Sequence, residues 1–291
     1  MFDKNPEEHY IKEGDPKKPT YYIIRRMNEN TDLADMYLMV MGHVWYALSK
    51  GWLPVVDMQN YPNLYLSPEK LGKENSWEYY FEQPFRVGLE QAYKEENVVL
   101  SDGDCVKPYP DSSMNLLQKK DETFIEWQML LKMNFMKIKA ELTEEISTMR
   151  EKIFMPEDNV LGVLLHDEDY SDKKAKGDPN IPFVEFAANT IRKKFKSWAC
   201  TKVLLVTKNQ FVAELFRNNF ADKCILLDQI FDVYYNTEKE DEYFLRGKKC
   251  LMQTVLLSEC NSFIADRCAE ATITMLTAEK FDHTQFFDLG D

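Results

Sequence analysis

The chain has 291 residues, 44% hydrophobic and 13% aromatic, which is apolar material for one large domain or, as the better expectation, two modest ones. Asp and Glu outnumber Lys and Arg 49 to 36, and a formal charge of -13 gives no global attraction to nucleic acid or anionic membranes, so any bound phosphate must meet a local basic patch. Six cysteines without CxxC spacing read as reduced, packed thiols of a cytoplasmic protein, and no apolar run approaches the ~20 residues that span a bilayer.

The first residues, Met1 to Glu8, lack the apolar core of a signal peptide and read as a polar leader. Tyr21-Tyr22-Ile23-Ile24 reads as a first strand. A helix follows it, with Leu33, Met36, Tyr37, Val40, Met41, Val44, Trp45 and Leu48 on one apolar stripe. Gly51 ends that helix, and Leu53-Pro54-Val55-Val56-Asp57 is the next strand, completing a β-α-β opening. A loop rich in Asn, Tyr and Pro precedes the aromatic segment Trp77 to Pro84 and the strand Val98 to Ser101. Trp127, Leu130, Leu131, Phe135, Ile138, Leu142 and Ile146 predict one long helix over 122–150 that bridges two halves, with the boundary at Pro156-Glu157-Asp158-Asn159.

The second half alternates: strand 160–165, helix 182–198, strand 202–207, helix 209–220, strand 223–227, helix 240–259, strand 262–265, helix 267–277 and a short strand around Gln285 to Phe287. Such alternation implies right-handed crossovers and a parallel sheet covered on both faces, a Rossmann-like domain of which the first half is a less regular version.

Leu161 to Leu165 is an apolar run that stops at His166-Asp167-Glu168-Asp169-Tyr170, so it delivers charge to the carboxyl end of a strand, where open α/β sheets bind ligands. His166 fits a general base or phosphate contact, and equally a solvated loop histidine. Asp167 and Asp169 fit a carboxylate pair holding Mg²⁺ or Mn²⁺ against a diphosphate, but acids in a row also mark ordinary surface loops. Lys173, Lys174 and Lys176, with Gly177 permitting close backbone approach, fit an anion-gripping loop or an exposed basic turn. Thr207-Lys208-Asn209 joins a hydroxyl to a helix N-terminus, and helix capping alone accounts for Thr207 or Asn209. Asp266-Arg267 stands at the same place on a later strand, with Arg267 suited to phosphate or to an acidic neighbour. The sequence has no GxSxG nucleophile elbow, GxGxxG, P-loop or HExxH, so hydrolase, dehydrogenase and kinase readings lose their usual support.

Met41 to Pro62 and Asn75 to Pro84 resemble segments of bacterial α-1,6-fucosyltransferase-like glycosyltransferases, related to the rhizobial chitin-oligosaccharide and eukaryotic protein fucosyltransferases. The likeness runs on through Asp169-Tyr170, Lys176-Gly177, Pro179, Thr207 and Phe287 to Gly290. It implies an α/β fold of two Rossmann-like domains in a GT-B-like arrangement, their parallel sheets flanked by helices. Residues 1–150 would form an acceptor-side domain with the bridging helix, and 151–291 a nucleotide-sugar domain.

The resemblance further implies transfer of a sugar, fucose foremost, from GDP-fucose to a glycan of surface polysaccharide, with no obligatory metal cofactor. Nucleotide sugar and glycan acceptor are the partners so implied, with a partner transferase as a further one. His166 and Asp169 are then the catalytic candidates, and Lys173, Lys176, Gly177, Thr207 and Arg267 the donor-binding ones. The chain departs from the family's Arg-Gly-Thr-Asp-Tyr pattern, because His166 stands where that arginine neutralises the leaving diphosphate. It departs again at Asn28 to Asp35, where a glycine-containing loop is expected, and at Asp266 to Glu270, where a small hydroxyl-rich segment is expected. Two alternatives therefore stay open: a catalytically degenerate homologue acting as a binding or scaffold protein, and a transferase using Mn or Mg at Asp167 and Asp169.

Overall fold

A computed structural model of the chain describes residues 8–26, 28–101, 129–130, 132–165, 174–175, 178–235 and 241–287. Its contacts divide into two units, Met1–Glu144 with Thr237–Leu251, and Glu145–Asn236 with Met252–Asp291.

In the first unit, β1 (Glu8–Lys12), β2 (Thr20–Arg25), β3 (Leu53–Asp57) and β4 (Asn97–Ser101) form one sheet in the order β1-β4-β2-β3. β2 runs parallel to both neighbours, and a strand flanked on both sides is the most buried: Tyr22, Ile23 and Ile24 are each 0% exposed. The polar leader departs from the sequence reading, since β1 adds to β4 in antiparallel register and makes the sheet mixed. Helix α1 (Leu33–Ser49) begins where the Asp32 side chain accepts the Asp35 N–H at 2.8 Å. It ends as expected at Gly51, whose φ of 72° only glycine adopts without strain, with Trp52 N–H returning to the Ala47 carbonyl at 2.9 Å. The short helices α2 (Trp77–Tyr80) and α3 (Leu89–Lys94) complete the β3-to-β4 connection.

The long helix expected over 122–150 is interrupted. Residues 122–128 lie outside the described set, 129–130 and 132–135 are helical as expected, the helix breaks over 136–139, and α4 runs from Ala140 to Ile153. Before it, Ile138 forms a β-bridge with Phe81, with Glu82 N–H donating to Lys137 O at 2.8 Å and Lys139 N–H to Tyr80 O at 3.0 Å. A tertiary ladder takes backbone groups that the local helical pattern would have used.

The second half of the chain follows the predicted alternation closely, with the helix Glu242–Ser258 starting in the first unit and ending in the second. After α4 come β5 (Val160–Leu165), the two-stranded ladder β6 (Lys174–Ala175) and β7 (Asp178–Pro182), α5 (Phe183–Ser197), β8 (Lys202–Thr207), α6 (Gln210–Phe220) and β9 (Cys224–Leu226). Then follow α7 (Leu227–Tyr234), α8 (Glu242–Ser258), β10 (Ser262–Asp266), α9 (Ala269–Thr277) and β11 (His283–Phe287). The β6-β7 ladder and α7 were not anticipated, although Leu227, Ile230, Phe231 and Tyr234 carry helical spacing.

The main sheet has the order β11-β10-β5-β8-β9 with every pair parallel. One face of β5 presents Leu161, Val163 and Leu165 to a core shared with Phe183, Ala187 and Ile191 of α5 and Val212 and Phe216 of α6. On the other face Gly162 leaves room for the end of α8 and the turn that follows it: a Cβ there would lie 3.1 Å from Cys260 Sγ and 3.2 Å from Leu257. Both faces are covered, which is why β5 reads as an unbroken apolar run.

Candidate functional site

In chain order the strands of the second unit lie fifth, fourth, first, second, third, so connections leave β5 in opposite directions and a switch point opens between β5 and β10. The register aligns the carboxyl ends: Leu165 pairs with Thr207 of β8, and Leu164 with Ala265 of β10. Two predicted residues, Thr207 and Arg267, therefore reach the same sheet edge on either side of β5. His166, Asp167, Asp169, Lys173, Lys176 and Gly177 lie outside the described residues.

Thr207 is 9% exposed, and its hydroxyl accepts the Asn209 N–H at 3.2 Å. Asn209 then caps α6 by accepting the Val212 N–H at 3.1 Å, so the capping account given for these residues holds. Across the switch point Asp266 is 2% exposed, and the following Arg267 is exposed with its guanidinium 5.8 Å from the Phe286 ring centroid. Cys268 stands where a hydroxyl usually caps a helix: its sulfur accepts the Ala271 N–H at 3.4 Å. Burial, with the Glu270 and Asp266 carboxylates, pushes its thiol well above the usual range. The start of α9 is therefore capped by a neutral, protonated group, and its positive end stays uncompensated by the cap itself.

Among the described residues no group of three or more His, Cys, Asp or Glu side chains is placed to hold a metal ion. No helix among them is long and apolar enough to cross a membrane.

The first unit has its own switch point between β2 and β4, and the sequence reading missed what stands there. At the end of β2, Arg25 donates from Nε to the Ser101 carbonyl at 2.7 Å and from a terminal nitrogen to the Tyr61 hydroxyl at 2.8 Å. At the end of β3, Asp57 is 0% exposed. Its Oδ1 accepts Gln59 N–H and Asn60 N–H at 3.0 and 3.1 Å, and its Oδ2 accepts the Asn60 amide and the Tyr93 hydroxyl, each at 2.8 Å. Burial and Asp57 together hold the Tyr93 hydroxyl far above its usual pKa. The available signal was two arginines directly after an apolar strand.

The Asn75 to Pro84 segment proves to brace β3. Val56 N–H donates to Gln83 Oε1 at 2.8 Å, and Val56 O accepts from the Gln83 and Asn75 amides at 2.9 and 2.7 Å. Side chains thus satisfy the backbone of a strand that has no further strand neighbour among the described residues.

No family model and no curated protein matches the chain. Solved structures do. Fucosyltransferase NodZ from Bradyrhizobium aligns at a TM-score of 0.55 and 15% identity, over 90% of this chain and 93% of its own. A crystal of NodZ α-1,6-fucosyltransferase soaked with GDP-fucose gives 0.54 with the same identity and coverage. POFUT1 in complex with GDP-fucose gives 0.48 at 8% identity, over 94% of this chain and 99% of its own. Over 90% of its length, then, this chain has the α/β fold of the fucosyltransferase NodZ.

Proposed function

We propose that the chain is a glycosyltransferase of the fucosyltransferase type, taking a nucleotide-diphosphate sugar, GDP-fucose foremost, at the carboxyl edge of the second unit's sheet. The transfer is to a glycan of surface polysaccharide. The observation that carries this reading is the switch point between β5 and β10, flanked by Thr207 and Arg267, on a fold shared with an enzyme crystallised with GDP and soaked with GDP-fucose. In this reading Thr207 and Arg267 contact the nucleotide, Lys173, Lys176 and the Gly177 backbone grip the diphosphate, His166 assists the departing phosphate and Asp169 orients it.

A second reading is favoured by one feature. Asp266 is a nearly buried carboxylate beside Arg267, and the sequence adds Asp167, Glu168 and Asp169 at the neighbouring strand end. Unit charges at ~4 Å repel by about 1 kcal/mol in water and about 4 kcal/mol near a protein surface, so several uncompensated acids would abolish diphosphate binding. The chain would then be a binding or scaffold homologue that retains the fold.

Calorimetric titration with GDP, UDP and CDP, with and without Mn²⁺, separates these. Metal-independent GDP binding is the expected result for the transferase. Binding only with Mn²⁺ moves the site to Asp167 and Asp169. Silence with all three nucleotides rejects the transferase and leaves the scaffold, and His166→Arg then restores GDP binding if loss of that cation caused the silence.

A further inference from the structure

Arg26 follows β2 in the first unit and is 9% exposed. Its Nε donates to the Thr31 hydroxyl at 2.8 Å, and that hydroxyl donates to the Asn28 carbonyl at 3.1 Å, so the loop into α1 locks the guanidinium in place. Among the described residues this is its one hydrogen bond, and no carboxylate pairs with it. A buried cation costs more than one neutral hydrogen bond returns, so the arrangement is unfavourable until a counter-charge arrives.

Among the described residues, the two acids nearest in the chain to this sheet edge, at the end of β3 and before α1, are committed elsewhere. Asp57 accepts four hydrogen bonds, which fill both of its oxygens, and Asp32 caps α1 through the Asp35 N–H. Arg25, the preceding residue, adds a second cation whose hydrogen-bond partners, the Ser101 carbonyl and the Tyr61 hydroxyl, are neutral.

We propose that Arg26, backed by Arg25, forms an oxyanion site that takes a carboxylate or phosphate group of a ligand docked at the carboxyl edge of the first unit's sheet. A guanidinium fork matches either group through paired N–H donors. The oxyanion has two sources: the carboxylate of a uronic acid in an acceptor glycan, or a phosphate of the nucleotide. The site stands on the first unit alone and does not depend on the donor site proposed above.

The test is titration of the full chain, Arg26→Met and Arg26→Lys with inorganic phosphate, glucuronate and GDP, alongside thermal melting. Wild-type protein is expected to bind phosphate or glucuronate, with affinity at least tenfold lower in Arg26→Met and intermediate in Arg26→Lys, which keeps the charge without the fork. Arg26→Met is expected to melt no lower than wild type, because it removes an unmet charge; a purely structural arginine would lower the melting point instead. Loss confined to glucuronate assigns an acceptor carboxylate, and joint loss on phosphate and GDP assigns a nucleotide phosphate. Wild-type protein that binds neither simple anion, or variants that both bind as well as wild type, overturns the site. GDP binding retained in Arg26→Met leaves the second unit's donor site standing, so the two readings fail separately.

Discussion

Gly247 lies in α8, and a Cβ there would sit 2.4 Å from the Tyr80 ring and hydroxyl. Tyr80 cannot retreat: it is 0% exposed, stacks on Phe244 at 5.7 Å, and donates to the Phe244 carbonyl at 2.8 Å. Gly247→Ala gains about 0.5–1 kcal/mol of helix propensity but overpacks the contact at about 1–3 kcal/mol, so a net loss is expected as a lowered urea midpoint. Thr207 allows a sharper test. Among the described residues its hydroxyl makes one hydrogen bond, accepting a backbone N–H, so Thr207→Val should cost about 1 kcal/mol of stability. If the residue also contacts the nucleotide, GDP affinity falls tenfold or more at unchanged fold, whereas unchanged affinity reduces Thr207 to a capping residue. Both Thr207 and Arg267 were legible as residues at strand ends, because an apolar run followed by a polar group is a local pattern. Arg26 was not legible, since nothing in its neighbours tells that the residue is nearly buried and without a carboxylate partner among the described residues.

At the scale of elements, the segments that carry the resemblance turn out to be structural. Asn75 and Gln83 satisfy both backbone groups of Val56 on the outer edge of β3, a role that fixes residue type tightly because amides can donate and accept at once. Gln83→Leu strips Val56 N–H of its acceptor in a buried setting, at a cost of about 1–3 kcal/mol, and chemical denaturation should show it. Helix existence was read well in the second half of the chain, where α5, α6, α8 and α9 lie within two residues of their expected limits. It failed at 136–139, where the pairing of Ile138 with Phe81, remote in sequence, outweighs a continuous apolar stripe.

For the whole molecule, titration sets an alkaline limit. Burial pushes the Cys200 and Cys224 thiols from 9.0 to about 11, and the Tyr37, Tyr80 and Tyr93 hydroxyls are raised by the same cause. The unfolded chain loses these protons first, so above pH 9.0 it binds fewer protons than the folded one and stability falls with pH. Stability is expected to be fully present below pH 9.0 and to decline toward pH 11, read as a falling melting temperature. A flat profile over that range would remove the buried thiols and phenols as its cause.

The alternation of strands and helices, the Gly51 stop and the charged end of β5 were determined by the sequence itself. Each rests on periodicity or backbone preference within a dozen residues. Strand order was decided only by the tertiary structure, and with it the switch point that brings Thr207 and Arg267 to one edge, because order depends on which way each crossover packs. The burial of Arg26 belongs to the same class. Its environment is assembled by the loop into α1 and by neighbouring strand ends, and its charge acquires meaning only when that assembly keeps water away and supplies no acid among the described residues.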